Sequence, residues 1–145
     1  MLAVSLLFAL LLQAPGQKVI VGLDDGRQVA VENPVFSGFI EGRNGDAVLM
    51  YRQDRVHGEM PVSTVSRIDF GPYKKDKPFP MSVTLRNGQK LEVQSERRDF
   101  VTVKGKTDFG TVTVKHPDPI SAPVKLSTRE PDRKKDLTIH YLEFP

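Results

Sequence analysis

Three histidines, His57, His116 and His140, are the residues of this 145-residue chain best suited to general acid–base chemistry or to holding a metal ion. An imidazole can donate, accept or ligate near neutral pH, but a site needs several such groups converging. Metal sites that are legible in a sequence space their rings as H-x-H or H-E-x-x-H, and no pair here does so. Asp54, Glu59 and Asp118 are neighbours that could complete a site only if folding gathered them. Ser63 and Ser66, in VSTVSR, lack the G-x-S-x-G context of a hydrolase nucleophile and read instead as caps of a short turn. The chain has no Cys, which removes thiol catalysis, thiolate metal sites and disulfides together. The sequence therefore assigns no catalytic, cofactor or metal residue. A hydrolase or metalloenzyme using His57, His116 or His140 stands as a minority alternative.

The first sixteen residues, MLAVSLLFALLLQAPG, carry no charged side chain and hold an apolar run from Leu6 to Leu12. Such a segment reads as a secretory signal peptide over residues 1–16, with Ala14 and Gly16 small enough to flank a cleavage before Gln17. The alternative is a membrane anchor, for which the run is shorter than the roughly 20 apolar residues of a span. A secreted or periplasmic protein is expected, and the lack of disulfides favours a bacterial envelope compartment. Twenty-one basic against 18 acidic side chains leave a net charge of +3. That is mild, and well short of the concentrated charge of a nucleic-acid binder.

The elements that must position any site are strands. Apolar residues alternate in Val19, Val21 and Leu23, in Val29 and Val31, and again in Val83, Leu85, Leu91 and Val93, the period of half-buried strands. Asp25-Gly26 and Asn87-Gly88 predict type I′ hairpin turns, with Arg43-Asn44-Gly45-Asp46 as a third turn signal and Lys104-Gly105-Lys106 as a weaker fourth. Eleven Gly and eleven Pro leave no room for a helix longer than one turn.

LDDGRQVAV, Leu23 to Val31, is echoed by LRNGQKLEV, Leu85 to Val93. At a shift of 62, Val21 falls on Val83, Gly26 on Gly88, Met50 on Val112 and Arg52 on Val114. RIDFGP, Arg67 to Pro72, then matches YLEFP, Tyr141 to Pro145, once twelve residues are looped out of the second copy. Internal periods of this length mark duplicated units. The order of strand, Gly turn and strand, closed by Pro61-Val62-Ser63-Thr64-Val65-Ser66-Arg67-Ile68-Asp69-Phe70, resembles the tandem SH3-like or Sm-like small β-barrels of secreted bacterial proteins. That resemblance implies an all-β protein of two tandem small five- to six-stranded SH3-like barrels, over residues 17–72 and 81–145, joined by a linker at 73–80. One continuous β-sandwich is the alternative. Phe79 and Tyr73 in the linker are candidates to pack into the joint.

Binding modes narrow in the same way. Without Trp and with only three Tyr, an aromatic groove for proline-rich peptides is disfavoured. The loop residue Phe109 is no stacking platform for single strands and is expected to pack into a core or turn. The inserted loop near 127–136 holds Arg129, Arg133, Lys134 and Lys135 among acids that nearly cancel them, and is the expected partner-binding elaboration. The overall expectation is a non-catalytic secreted or envelope interaction and assembly module. Its partner would be an envelope protein or polymer, with no cofactor and no nucleic acid. The alternative is a binder of an anionic envelope polymer, or of a membrane surface through weak contact.

Overall fold

The computed structural model describes residues 17–41, 47–72, 74, 77–96, 101–116 and 138–145. Residues 1–16, expected as a leader, the third turn signal at Arg43 to Asp46, Tyr73, Asp118, and the segment carrying Arg129, Arg133, Lys134 and Lys135 all lie outside the described residues.

The alternating apolar residues do form strands. β1 (Lys18–Leu23), β2 (Gln28–Ser37), β3 (Ile40–Glu41), β4 (Val48–Gln53) and β5 (Val56–Pro61) lead into a single 3-10 turn, Val62–Thr64. β6 (Val65–Phe70), β7 (Pro80–Leu85), β8 (Lys90–Ser95), β9 (Val101–Thr107), β10 (Gly110–His116) and β11 (Ile139–Glu143) follow. The protein is all-β, and the eleven strands among the described residues make one curled antiparallel sheet that forms a half-barrel.

The strand order is β10-β9-β2-β1-β11-β6-β7-β8-β4, with β5 and β3 both pairing β4. Read outward from the β11–β6 pair, each side presents a closing strand, then a Gly-turn hairpin (β1–β2 or β7–β8), then a second hairpin (β9–β10 or β4–β5). The hairpins are crossed between the halves of the chain. β1–β2, from the first half, lies between β9 and β11 of the second, while β7–β8 lies between β4 and β6 of the first. Under the 62-residue shift β1–β2 falls on β7–β8, the two hairpins with matching Gly turns. Met50 and Arg52 sit in β4, against β8, whereas Val112 and Val114 sit in the outer strand β10. β10 returns toward the start of β11 through the parallel bridge Lys115↔Thr138.

The turns correct one expectation in detail. Gly26 and Gly88 have φ of +89° and +88°, but Asp25 and Asn87 do not share the positive φ that a type I′ turn demands. Each hairpin instead makes a β-turn, Gly26 N–H donating to Leu23 O and Gly88 N–H to Leu85 O, and the glycine serves as the left-handed residue of a bulge. The Asp25 and Asn87 side chains accept from the backbone two residues on, which fixes both turns alike. Lys104-Gly105-Lys106 is no turn at all and runs inside β9. The chain reverses one step later, at Gly110, whose φ is +122°. Phe109 beside it is 81% exposed, not packed.

One hydrophobic cluster fills the concave side, from Val19, Val21 and Val31 through Ile68 and Val83 to Val101, Val103 and Leu142. Each such side chain contributes roughly 1.5–3 kcal/mol by leaving water. Phe39, Phe70 and Phe79 pack as tilted rings with centroids 5.3–6.2 Å apart. Phe79 is fully buried, so the described end of the linker is core. Its backbone exchanges hydrogen bonds with Ser95, whose buried hydroxyl accepts from Phe79 N–H at 3.0 Å.

Candidate functional site: a cationic cleft at the seam

β2 carries the sequence feature that shapes a site. Val29 and Val31 face inward, so strict alternation would turn the even-numbered residues out. Asn33, at φ +48°, and Pro34 interrupt the ladder with β9 between Glu32 and Val35, a bulge that re-aims Phe36 inward. Asn33 N–H donates to Gln17 O at 2.7 Å and ties the bulge to the start of β1. Phe36 meets Phe144, just past β11, with centroids 6.1 Å apart.

Opposite them lies the 3-10 turn before β6. Ser63 does not cap it, and neither does Ser66, whose hydroxyl donates to Thr84 O; Thr64 Oγ1 donates to Pro61 O instead. The carbonyl of Ser63 accepts from Arg86 Nε at 2.7 Å, and Arg86 Nη2 donates to Pro145 O at 3.3 Å. Arg86 belongs to the β7–β8 turn, and its own N–H donates to Thr64 O.

Together these elements enclose a cleft of about 300 Å³, lined by Lys18, Pro34, Phe36, Val62, Arg86 and Phe144 among others. Its floor is apolar and its mouth carries two cations. The Arg86 fork is fixed in place by the Ser63 carbonyl and by an oxygen of Pro145, which also lines the cleft. Lys18, Pro34, Phe36 and Phe144 come from one side of the β11–β6 pair, and Val62, Ser63 and Arg86 from the other. The sequence showed no sign of this site, because nothing in a strand pattern places the Gly88 turn beside the Asn33–Pro34 bulge.

The histidines are not gathered. His57, on β5, is exposed and its Nδ1 lies 2.6 Å from Glu96. His140 is exposed on β11, its ring steeply inclined to that of Tyr141. His116 is buried at the end of β10, where Nδ1–H donates to Ile139 O at 3.0 Å and the ring stacks on Phe70 at 4.9 Å. Its Nε2 has no hydrogen-bond partner among the described residues. Burial pushes its pKa down, against the opposing pull of the Ile139 and Gly71 carbonyls. Asp54 and Glu59 lie near His57 in sequence, but no group of three His, Asp or Glu among the described residues could hold a metal ion.

No family model, no curated protein and no solved structure matches this chain.

Proposed function

We propose that the protein is a non-catalytic interaction or assembly module, exported under the leader at residues 1–16 and working in the envelope or outside the cell. The cleft carries this reading: Lys18 and Arg86 beside an apolar floor, drawn from both sides of the β11–β6 pair, form a receptor shaped by the strands and tight turns of one continuous sheet. We read the two arms, of five and six strands, as SH3-like repeats that exchange their first hairpins; the mirrored strand order and the paired Gly turns support this. A second reading, the binding of an anionic envelope polymer or membrane surface, draws on Lys18 and Arg86 at the cleft mouth.

A photo-crosslinking residue placed at Ser63 in the producing cell tests the first reading. It should capture a discrete partner that the same probe at Gln94, on the far hairpin, does not. Equal labelling at the two positions would refute it. Binding that vanishes as salt rises through the range where the Debye length falls to about 3 Å would favour the second reading. The mature mass should place the new N-terminus near Gln17.

A further inference from the structure

We propose that β10 is a self-association edge, pairing antiparallel with β10 of a second copy of this chain about a two-fold axis at Val112. The contact shares no residue with the cleft and goes beyond the interaction-module reading.

The sheet ends in two edge strands that are built differently. β5 pairs only β4; it carries His57 and Glu59 and closes on Pro61, which has no N–H to donate. Ionisable side chains and proline are how native edges avoid pairing with another chain. β10 pairs β9 and lacks those guards over Gly110-Thr111-Val112-Thr113-Val114, which holds neither charge nor proline and is β-branched throughout after its glycine. An exposed edge of that kind is a template for a further strand.

The register follows from which backbone groups are open. Gly110 faces Thr107 across the loop of Asp108 and Phe109, so Gly110, Val112 and Val114 exchange their bonds with β9, while the groups of Thr111, Thr113 and Lys115 point to the other side. There Lys115 is bridged by Thr138, whereas the backbones of Thr111 and Thr113 meet no partner among the described residues. One antiparallel register satisfies both: Thr111 opposite Thr113 of the second copy, and Thr113 opposite its Thr111, each pair exchanging both N–H···O bonds. The axis then falls on Val112, and the two Val112 side chains meet on the concave side. Val112 and Val114 are half-buried against the core, so the contact extends an apolar face that already exists. Phe109, 81% exposed on its own copy, comes beside the Lys115–Thr138 bridge of the other. That bridge and the hairpin tip bound the contact at its two ends, which makes a closed pair and not a fibre. A one-strand interface is small, so the protein should be monomeric at about 10 μM and dimeric at about 1 mM.

Sedimentation velocity of the exported protein across that range should show monomer passing to dimer. Single cysteines, in a chain with none of its own, read the register. Under mild oxidation of the concentrated protein, Val112→Cys should link two copies, because its Cα atoms face each other at about 4.5 Å across the axis. Thr113→Cys, which faces Thr111 on the opposite side of the sheet, and Val56→Cys, exposed on the guarded edge, should keep free thiols. Thr113→Pro removes an outward N–H that the sheet does not use, and should weaken dimerisation about tenfold or more while leaving the thermal midpoint nearly unchanged. The cysteine variants decide the matter if the proline disturbs the fold. A protein that stays monomeric to about 1 mM would overturn the proposal. So would linking at Thr113 or Val56 as readily as at Val112, or a folded Thr113→Pro variant that dimerises like wild type.

Discussion

Tyr141 lies over Gly22, its cross-strand partner, so closely that a Cβ on Gly22 would collide with the ring. Its hydroxyl meets Gln28, and the Arg67 guanidinium sits 3.8 Å above its centroid. Tyr51 covers Gly58 in the same way on the other arm. An aromatic ring laid over a strand glycine restores the packing that the missing side chain forgoes. Gly22→Val should therefore displace Tyr141, break its contacts with Arg67 and Gln28, and cost about 1–2 kcal/mol in urea unfolding. Adding Tyr141→Ala should cost less in that background than in the wild type. Strict additivity of the two changes would mean that the ring does not depend on the glycine.

Gly26 and Gly88 have open space where a Cβ would go, so only their positive φ resists substitution. Gly26→Ala and Gly88→Ala should each cost about 1 kcal/mol, the left-handed penalty alone. Because both hairpins belong to one sheet, each variant should shift a single transition seen alike by circular dichroism and fluorescence. Two separated transitions would mean independently folding arms.

Phe79 should be among the most costly residues to truncate. It is fully buried against Phe39 and Phe70, and Phe79→Ala is expected to lose about 3–5 kcal/mol in chemical denaturation. A loss under about 1 kcal/mol would return it to the linker.

His116 makes stability fall on the acid side. Its Nδ1–H bond to Ile139 O is available to the neutral ring, and burial lowers its folded pKa below the unfolded value of about 6.5. The sign follows: the contribution is whole above about pH 6.5 and is lost as pH falls toward and through the depressed folded value, because the unfolded chain takes up the proton first. His140 is the other titratable group acting on it, and its charge lowers the pKa further. His116→Phe should unfold at a denaturant midpoint that changes less than wild type's between about pH 7.5 and pH 5. Parallel profiles would remove His116 from the acid dependence.

Strand periodicity and Gly turns were legible because they are local: a period-two run with a glycine at its end states its own structure. The turn type is not legible in the sequence, because a D-G or N-G pair suits both a type I′ turn and a type I turn with a bulge, and only the φ of Asp25 and Asn87 separates them. The apolar character of Phe109 suggests a core or turn-packing residue, but it sits exposed at a hairpin tip. The cleft was illegible for a deeper reason. It depends on β1–β2 leaving its own half of the chain to pair with β9 and β11, and that partner choice is set by packing across the whole sheet rather than by any local signal.

The crossing of hairpins between halves is the claim on which the cleft depends, and a pair of cysteines tests it directly in a chain that has none of its own. Ser37 in β2 and Thr102 in β9 are cross-strand partners that belong to opposite halves of the sequence. Cα atoms of directly paired strand residues lie about 4.5–5.5 Å apart, within the span that a disulfide bridges. Oxidised under mild conditions, the monomeric Ser37→Cys, Thr102→Cys variant should close one intramolecular disulfide in nearly every molecule and keep its fold. Free thiols in a folded monomer, or links formed only between molecules, would contradict the crossed sheet and the cleft with it.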